Sequence, residues 1–310
     1  MAITLDGLAV DLPQDWSETV MRNAFQDSVA GQLSPSEPLP TNGKVIPVYD
    51  GGFEVGYTAE LGRKPVSDVA LSFRGITPQK FAGLLVVSRE AARANPANML
   101  QHVQNDMRNA VSRQLDLGIF YGLSAFNGTP IPNASFVNST TNRVELDTAA
   151  DLVPQFLAGY DLAADGESDP NGFAFDSRYR TRIALASQQN LSAPGGISPM
   201  PNLAGVAGTL GGLPVAYGRT VAGRVGSNAD TGVKGFVGDW SKLRWGFSAN
   251  IELTRSDQAS VVTGDGTTVN AFQDNAIIYR VEFEAGWYID PTAFAAFEDQ
   301  VPPVAEEPAA

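Results

Sequence analysis

The sequence predicts an α+β fold with more strand than helix, and three observations carry that reading. Glycine (31) and proline (20) are abundant and scattered, which favours many turns and strands over a helical bundle. Several stretches alternate apolar and polar residues with the two-residue period of a half-buried strand. One segment, about 96–120, carries the strongest apolar stripe at helical spacing.

The elements follow in chain order. Residues 15–31 read as an amphipathic helix: Met21, Phe25 and Val29 recur every four residues, with Trp16 and Val20 beside them and Gly31 as a C-terminal stop. "LSPSEPLPTNG" (33–43) has three prolines and no periodicity, and reads as an extended arm. Residues 44–76 read as a hairpin. Phe53, Val55 and Tyr57 form one alternating strand, and Val69, Leu71 and Phe73 the other. The connection between them, "AELGRKPVSD" (59–68), holds Arg63, Lys64 and Pro65. A two-stranded ribbon is marginal in water, so its apolar stripe needs a cover from elsewhere.

"KFAGLLVVS" (80–88) is a continuous apolar run, as a buried strand would be. Asn95 then caps and Pro96 opens the long helix. Met99, Val103, Met107 and Val111 step along it, with Leu100, Ala110 and Leu115 alongside. A helix from 96 to about 120 would be about 37 Å long. Residues 122–147 read as loop. Residues 148–165 read as a helix with Leu152, Phe156 and Tyr160 on one face. A strand at Phe173–Phe175 and a helix over about 177–188 precede a Gly/Pro-rich loop at 193–212. Strands are expected at 213–218, 234–240, 243–255 and 276–289, a turn at "TGDGT" (263–267), and a loose tail at 301–310.

Composition excludes several classes of function. Lys and Arg number 21 against 34 Asp and Glu, so the net charge is −13, which argues against gripping phosphate backbones. No cysteine is present, which removes disulfides, thiolate nucleophiles and zinc–thiolate sites. The single histidine, His102, rules out two-His metal sites and reads as a structural residue of the long helix. No cofactor and no metal site is expected. The sequons at Asn127, Asn133 and Asn138 read as polar loop, because no secretory signal precedes them. No pair of carboxylates stands out for acid–base catalysis.

The order of these parts resembles the major capsid proteins of tailed bacteriophages, those of the HK-ninety-seven-like (Johnson) fold. "AELGRKPVSDVALSF" resembles the extended loop of that family, and "GLLVVSREAARANPANMLQHVQNDMRNAVSRQLDLGIFYG" its strand end, spine helix and closing glycine. "GTLGGLPVAYG", "GFVGDWSK" and "YRVEFEAGWYIDPTAF" resemble its later strands and turns, and the matching order spans residues 44–298. The resemblance implies an N-terminal arm (1–43) and an extended loop (44–76). A peripheral domain (77–147 and 244–290) would hold the spine helix, beside an axial domain (148–243 and 291–300) and a tail (301–310).

The implied function is structural: self-assembly into hexamers and pentamers of an icosahedral head around double-stranded DNA, with no sequence-specific binding and no membrane. The implied location is the virion, assembled in the bacterial host cytoplasm. An encapsulin-type compartment shell and a carboxylate-dependent β-rich hydrolase are the competing readings. Arg63, Lys64, Trp16 and Phe25 are the expected intersubunit contacts. Some family members weld their shells by an isopeptide bond, and Lys64, Asn275 and the base Glu282 match the positions involved. Only about 43 residues precede the extended loop, too few for the charged scaffolding segment that some members carry. Either the scaffolding is a separate protein or the sequence is already the mature form, and the initial Met favours the former; the implied partners are then a separate scaffolding protein, a portal and possible decoration proteins.

Overall fold

A computed structural model describes residues 28–50, 55–58, 60, 63–64, 66, 70–94, 99–147, 152–165, 168–183, 209–210, 212–224, 230–264 and 266–299. Most of the helix expected at 15–31, with Trp16 and Phe25, lies outside them. So do Asn95, Pro96, most of 193–212 and the tail.

The elements run α1 (Val29–Leu33), β1 (Glu37–Pro38), β2 (Lys44–Asp50), β3 (Ala70–Ile76), β4 (Gln79–Ser88), α2 (Arg89–Ala94) and α3 (Met99–Tyr121). Then come β5 (Arg143–Leu146), α4 (Leu152–Ala164), β6 (Gly172–Phe175), β7 (Thr209–Leu210), β8 (Leu213–Tyr217) and β9 (Val233–Gly238). The last are β10 (Arg244–Ser256), β11 (Ser260–Val262), β12 (Thr268–Asn270), β13 (Ala276–Tyr288) and β14 (Phe294–Asp299).

Two sheets organise the chain. One has the order β1-β10-β13-β4, and the other β5-β14-β9-β6-β8-β7. The second is sandwiched between two cores, and strand pleating assigns its residues to each. Ala174, Phe236, Phe294 and Ala296 face the core shared with α3, while Phe173, Phe175, Val237, Ala295 and Phe297 face α4. This explains why "GFAF" and "FAAF" are apolar without alternation: both faces of these strands are buried.

The C-terminal half of α3 is buried almost all round, through Val111, Leu115, Leu117, Ile119, Phe120 and Tyr121. Gly118 lets Trp287 of β13 lie against the helix, since a Cβ there would sit 2.6 Å from the indole. Gly122, at φ +65°, ends the helix in the left-handed conformation. The stripe holds at Val111 and Leu115, but Ala110 is exposed.

Other expectations need correction. The first described ribbon strand is Lys44–Asp50, paired from Lys44↔Ile76 to Asp50↔Ala70; of the strand expected at 53–57, residues 55–57 carry no strand and 53–54 lie outside the described residues. Glycines at 51, 52 and 56 weaken a strand there, whereas Val45, Ile46 and Val48 favour one. The stretch 80–88 is a strand, but an edge strand: Val87 is buried while Leu84 is 56% exposed. Its run of apolar residues resembles a buried strand because it lacks the polar face of an ordinary edge. Within the stretch read as loop, Arg143–Leu146 pairs in parallel with β14, a long-range pairing that four residues cannot announce. The turn at 263–267 stands as expected, with Gly266 at φ +83° and the Thr263 N–H donating to Thr267 O at 2.8 Å.

At Gly246 a Cβ would overlap the Glu37 carbonyl oxygen, so β1 can lie against β10 only because residue 246 has no side chain. Gly246→Ala is expected to displace the arm strand and cost about 1–3 kcal/mol, read as a lower urea midpoint.

Candidate assembly interface

The ribbon of β2 and β3 presents two unlike faces. Cross-strand register puts Val45 opposite Gly75 and Pro47 opposite Phe73, while Ile46 faces Arg74 and Val48 faces Ser72. On the first face Val45 and Phe73 are each 65% exposed, and Pro47 is exposed beside them. Farther along, Val55 and Tyr57 are almost fully exposed, as is Val66. The alternation of the sequence therefore builds an open apolar surface instead of a covered one.

The base of the ribbon is fixed to the body. Ile76 is buried and approaches Gly286 of β13, where a Cβ would lie 2.9 Å from its Cγ2. Glu37 of β1 accepts from Lys44 Nζ at 2.7 Å and also pairs with Arg244. The Lys44 hydrogen bond, aided by Arg244 and opposed by partial burial, holds the Glu37 carboxyl below its ordinary range.

The segment around α1 is moored at one buried carboxylate that sequence reasoning missed. Asp116, on α3, accepts from Ser28 Oγ at 2.6 Å, Val29 N at 3.1 Å, Ala30 N at 3.2 Å and Thr220 Oγ1 at 2.9 Å. It thereby joins the spine helix to α1 and to the turn Arg219–Ala222. Burial pushes its pKa up, and the four donors oppose that shift. The available signal was an acid set inside "LDLGIFY", where every neighbour is apolar or glycine.

A second polar knot lies beyond it. The buried Asp176 accepts from Arg224 Nη2 at 2.6 and 2.8 Å and from Arg178 Nε at 3.2 Å. Asp230 joins Arg178 at 2.6 Å and Lys234 at 3.3 Å, and Lys234 reaches Asp299 at 3.2 Å. These pairs tie the ends of β6, β9 and β14 together.

The expected site residues fall in separate places. Arg63 and Lys64 are exposed in the loop beyond the ribbon. Asn275 sits in the turn before β13 at φ +53°, exposed, its carbonyl accepting from Arg89 N at 2.8 Å. Glu282 lies on the outer face of β13, half-buried, 3.3 Å from Lys80 and 3.5 Å from Arg280. Seven residues of extended strand separate Asn275 from Glu282 by about 23 Å, so one chain cannot bring the two to a single point. Among the described residues, no group of Asp, Glu and His could hold a metal ion. Asn127 takes part in a turn, accepting from Thr129 Oγ1 at 2.8 Å, and Asn133 adopts φ +55°.

Comparison with known proteins supplies the frame for these surfaces. Residues 9–299 match the model of the phage capsid family. The "Probable major capsid protein gp17" of Mycobacterium phage D29 is 27% identical over 302 residues, covering 94% of this chain and 90% of that one. Its counterpart of the same name in Mycobacterium phage L5 is 26% identical over 291 residues, covering 91% and 87%. A solved structure from Gordonia phage Cozz superposes with a TM-score of 0.73 at 27% identity, covering 89% of this chain and 87% of that one. These relatives are structural proteins of phage heads, and neither the compartment-shell nor the hydrolase reading survives beside them. The chain belongs to the phage capsid family, and it is a structural bacteriophage capsid protein with the mixed helix and strand fold of that family.

Proposed function

We propose that copies of this chain tile into hexamers and pentamers that close an icosahedral head around double-stranded DNA. The observation that carries this reading is the ribbon face of Val45, Pro47 and Phe73, which is apolar, open and rigidly based. A soluble monomer gains nothing from such a face, whereas a neighbour buries it. The four-stranded sheet with α3 would form the peripheral domain and the six-stranded sheet with α4 the axial domain. Since β5 pairs with β14, the first boundary is better drawn just before residue 143 than after 147. The net charge of −13 suits a wall that holds DNA without adhering to it, and assembled particles should carry an excess of acids on their concave face. A separate scaffolding protein and a portal complete the assembly in the host cytoplasm. Electron microscopy of the expressed protein tests the reading: closed shells are expected, and stable monomers at high concentration would overturn it.

We also propose that Lys64 welds neighbouring copies. Its neutral amine would attack the side-chain carbonyl of Asn275, form an amide and release ammonia, with Glu282 taking the proton. The separation of Asn275 and Glu282 requires that they come from different copies, so each weld would join three chains. Arg63, beside Lys64, would pair with acids of the neighbour, and Trp16 and Phe25 of the arm would lie across it. Denaturing electrophoresis of mature particles should show a ladder that collapses to one band near 32.8 kDa in Lys64→Arg. A single band from wild-type particles would leave Lys64 as a salt-bridging residue only.

A further inference from the structure

Among the described residues strand β4 has an open edge. It ends the order β1-β10-β13-β4, and no other described strand pairs with it. Its ten residues carry one charge, Lys80, and no proline or bulge, so it lacks the usual devices that blunt an edge. Leu84 and Leu85 are exposed on it.

The phase of the free backbone groups can be read from one bond. Arg89 N donates to Asn275 O at 2.8 Å, and Ser88 lies opposite Ala276. Bonded and non-bonded pairs alternate along an antiparallel ladder. Val87, Leu85, Gly83 and Phe81 therefore bond to β13. Ser88, Val86, Leu84, Ala82 and Lys80 turn their N–H and C=O groups outward.

Within one chain the nearest candidate to fill that edge is β3, joined to β4 by Thr77 and Pro78 alone. A two-residue hairpin needs positive φ at one or both loop positions. Proline holds φ near −65° at the second, and β-branched Thr77 resists positive φ at the first. Among the described residues both edges thus stay open in a single copy, β3 pairing with β2 and β4 with β13. Of the two ribbon strands, β3 is the better donor, because β2 contains Pro47.

We propose that the β4 edge receives the β3 strand of a second copy, extending the four-stranded sheet across the subunit boundary and carrying the apolar ribbon face over Leu84. This pairing rests on the shell reading above, and the test separates the two. Leu84→Pro removes an outward N–H without touching the β13 ladder, and Leu84→Thr removes the apolar side chain but keeps the donor. The proline variant is expected to lower the assembled fraction at least about tenfold, and the threonine variant much less. Far-ultraviolet circular dichroism and the melting temperature check that the proline variant is folded. Independently of its folding, Leu84→Cys and Ser72→Cys copies are mixed and assembled; the chain has no native cysteine to confuse the result. An 84–72 disulfide dimer in particles, absent from unassembled protein, supports the pairing. Normal shells from Leu84→Pro sink it. Particles that give no 84–72 dimer, or that link position 84 to another segment or protein, overturn β3 as the occupant. Failure of wild-type protein to form any shell would remove the shell reading itself.

Discussion

Replacing Asp116 with alanine is expected to cost about 3–5 kcal/mol of stability. The reason lies in what remains behind. Ser28 Oγ, Val29 N, Ala30 N and Thr220 Oγ1 all aim at this carboxylate in a site without solvent, and alanine offers none of them an acceptor. Each buried donor left unpaired costs roughly 1–3 kcal/mol, and four sharing one acceptor add less than fully. Asp116→Asn keeps one acceptor oxygen while turning an NH₂ group toward donors, so an intermediate loss is expected. Urea unfolding measures the cost. Hydrogen exchange at the amides of Val29 and Ala30 measures the mooring itself, and should accelerate before global unfolding does. Unchanged exchange in Asp116→Ala would show that the arm is held elsewhere.

The second large effect concerns assembly and not folding. Val45→Asp with Phe73→Asp places two charges on the open ribbon face. The isolated chain should barely respond, since both positions are 65% exposed and surface changes usually stay within about 0.5 kcal/mol. In a shell the same positions would be buried. Losing two apolar contacts of about 1.5–3 kcal/mol each, before any penalty for burying charge, raises the concentration needed for assembly at least about 100-fold. Light scattering against protein concentration reads this directly. Shells that form at the wild-type threshold would show that the ribbon face is not an interface.

Particular elements show how much was legible. The long helix was visible because its stripe repeats over many residues and Gly122 closes it. The ribbon was visible as a hairpin, yet its strand at Lys44–Asp50 was not marked and Val55 and Tyr57 carry none: the alternation at 53–57 looks as strand-like as the β-branched residues Val45, Ile46 and Val48. Only pairing with Ala70–Ile76 chooses between them. β5 was missed because four residues gain strand character from β14, more than 140 residues away. Asn275 and Glu282 could be named from their sequence context. That they stand far apart along one strand could not, since a motif records spacing and not the direction in which the chain travels.

Local pattern alone determined the α+β class, the spine helix, the turn at 263–267 and the absence of thiol or two-histidine chemistry. These depend on periodicity, on glycine and on composition, all of which act within a few residues. Tertiary structure decided the rest: which apolar runs are covered and which stay open, where the arm is moored, and which strand edge is free. Burial and long-range pairing are properties of what the chain meets, and that is set when distant segments pack together.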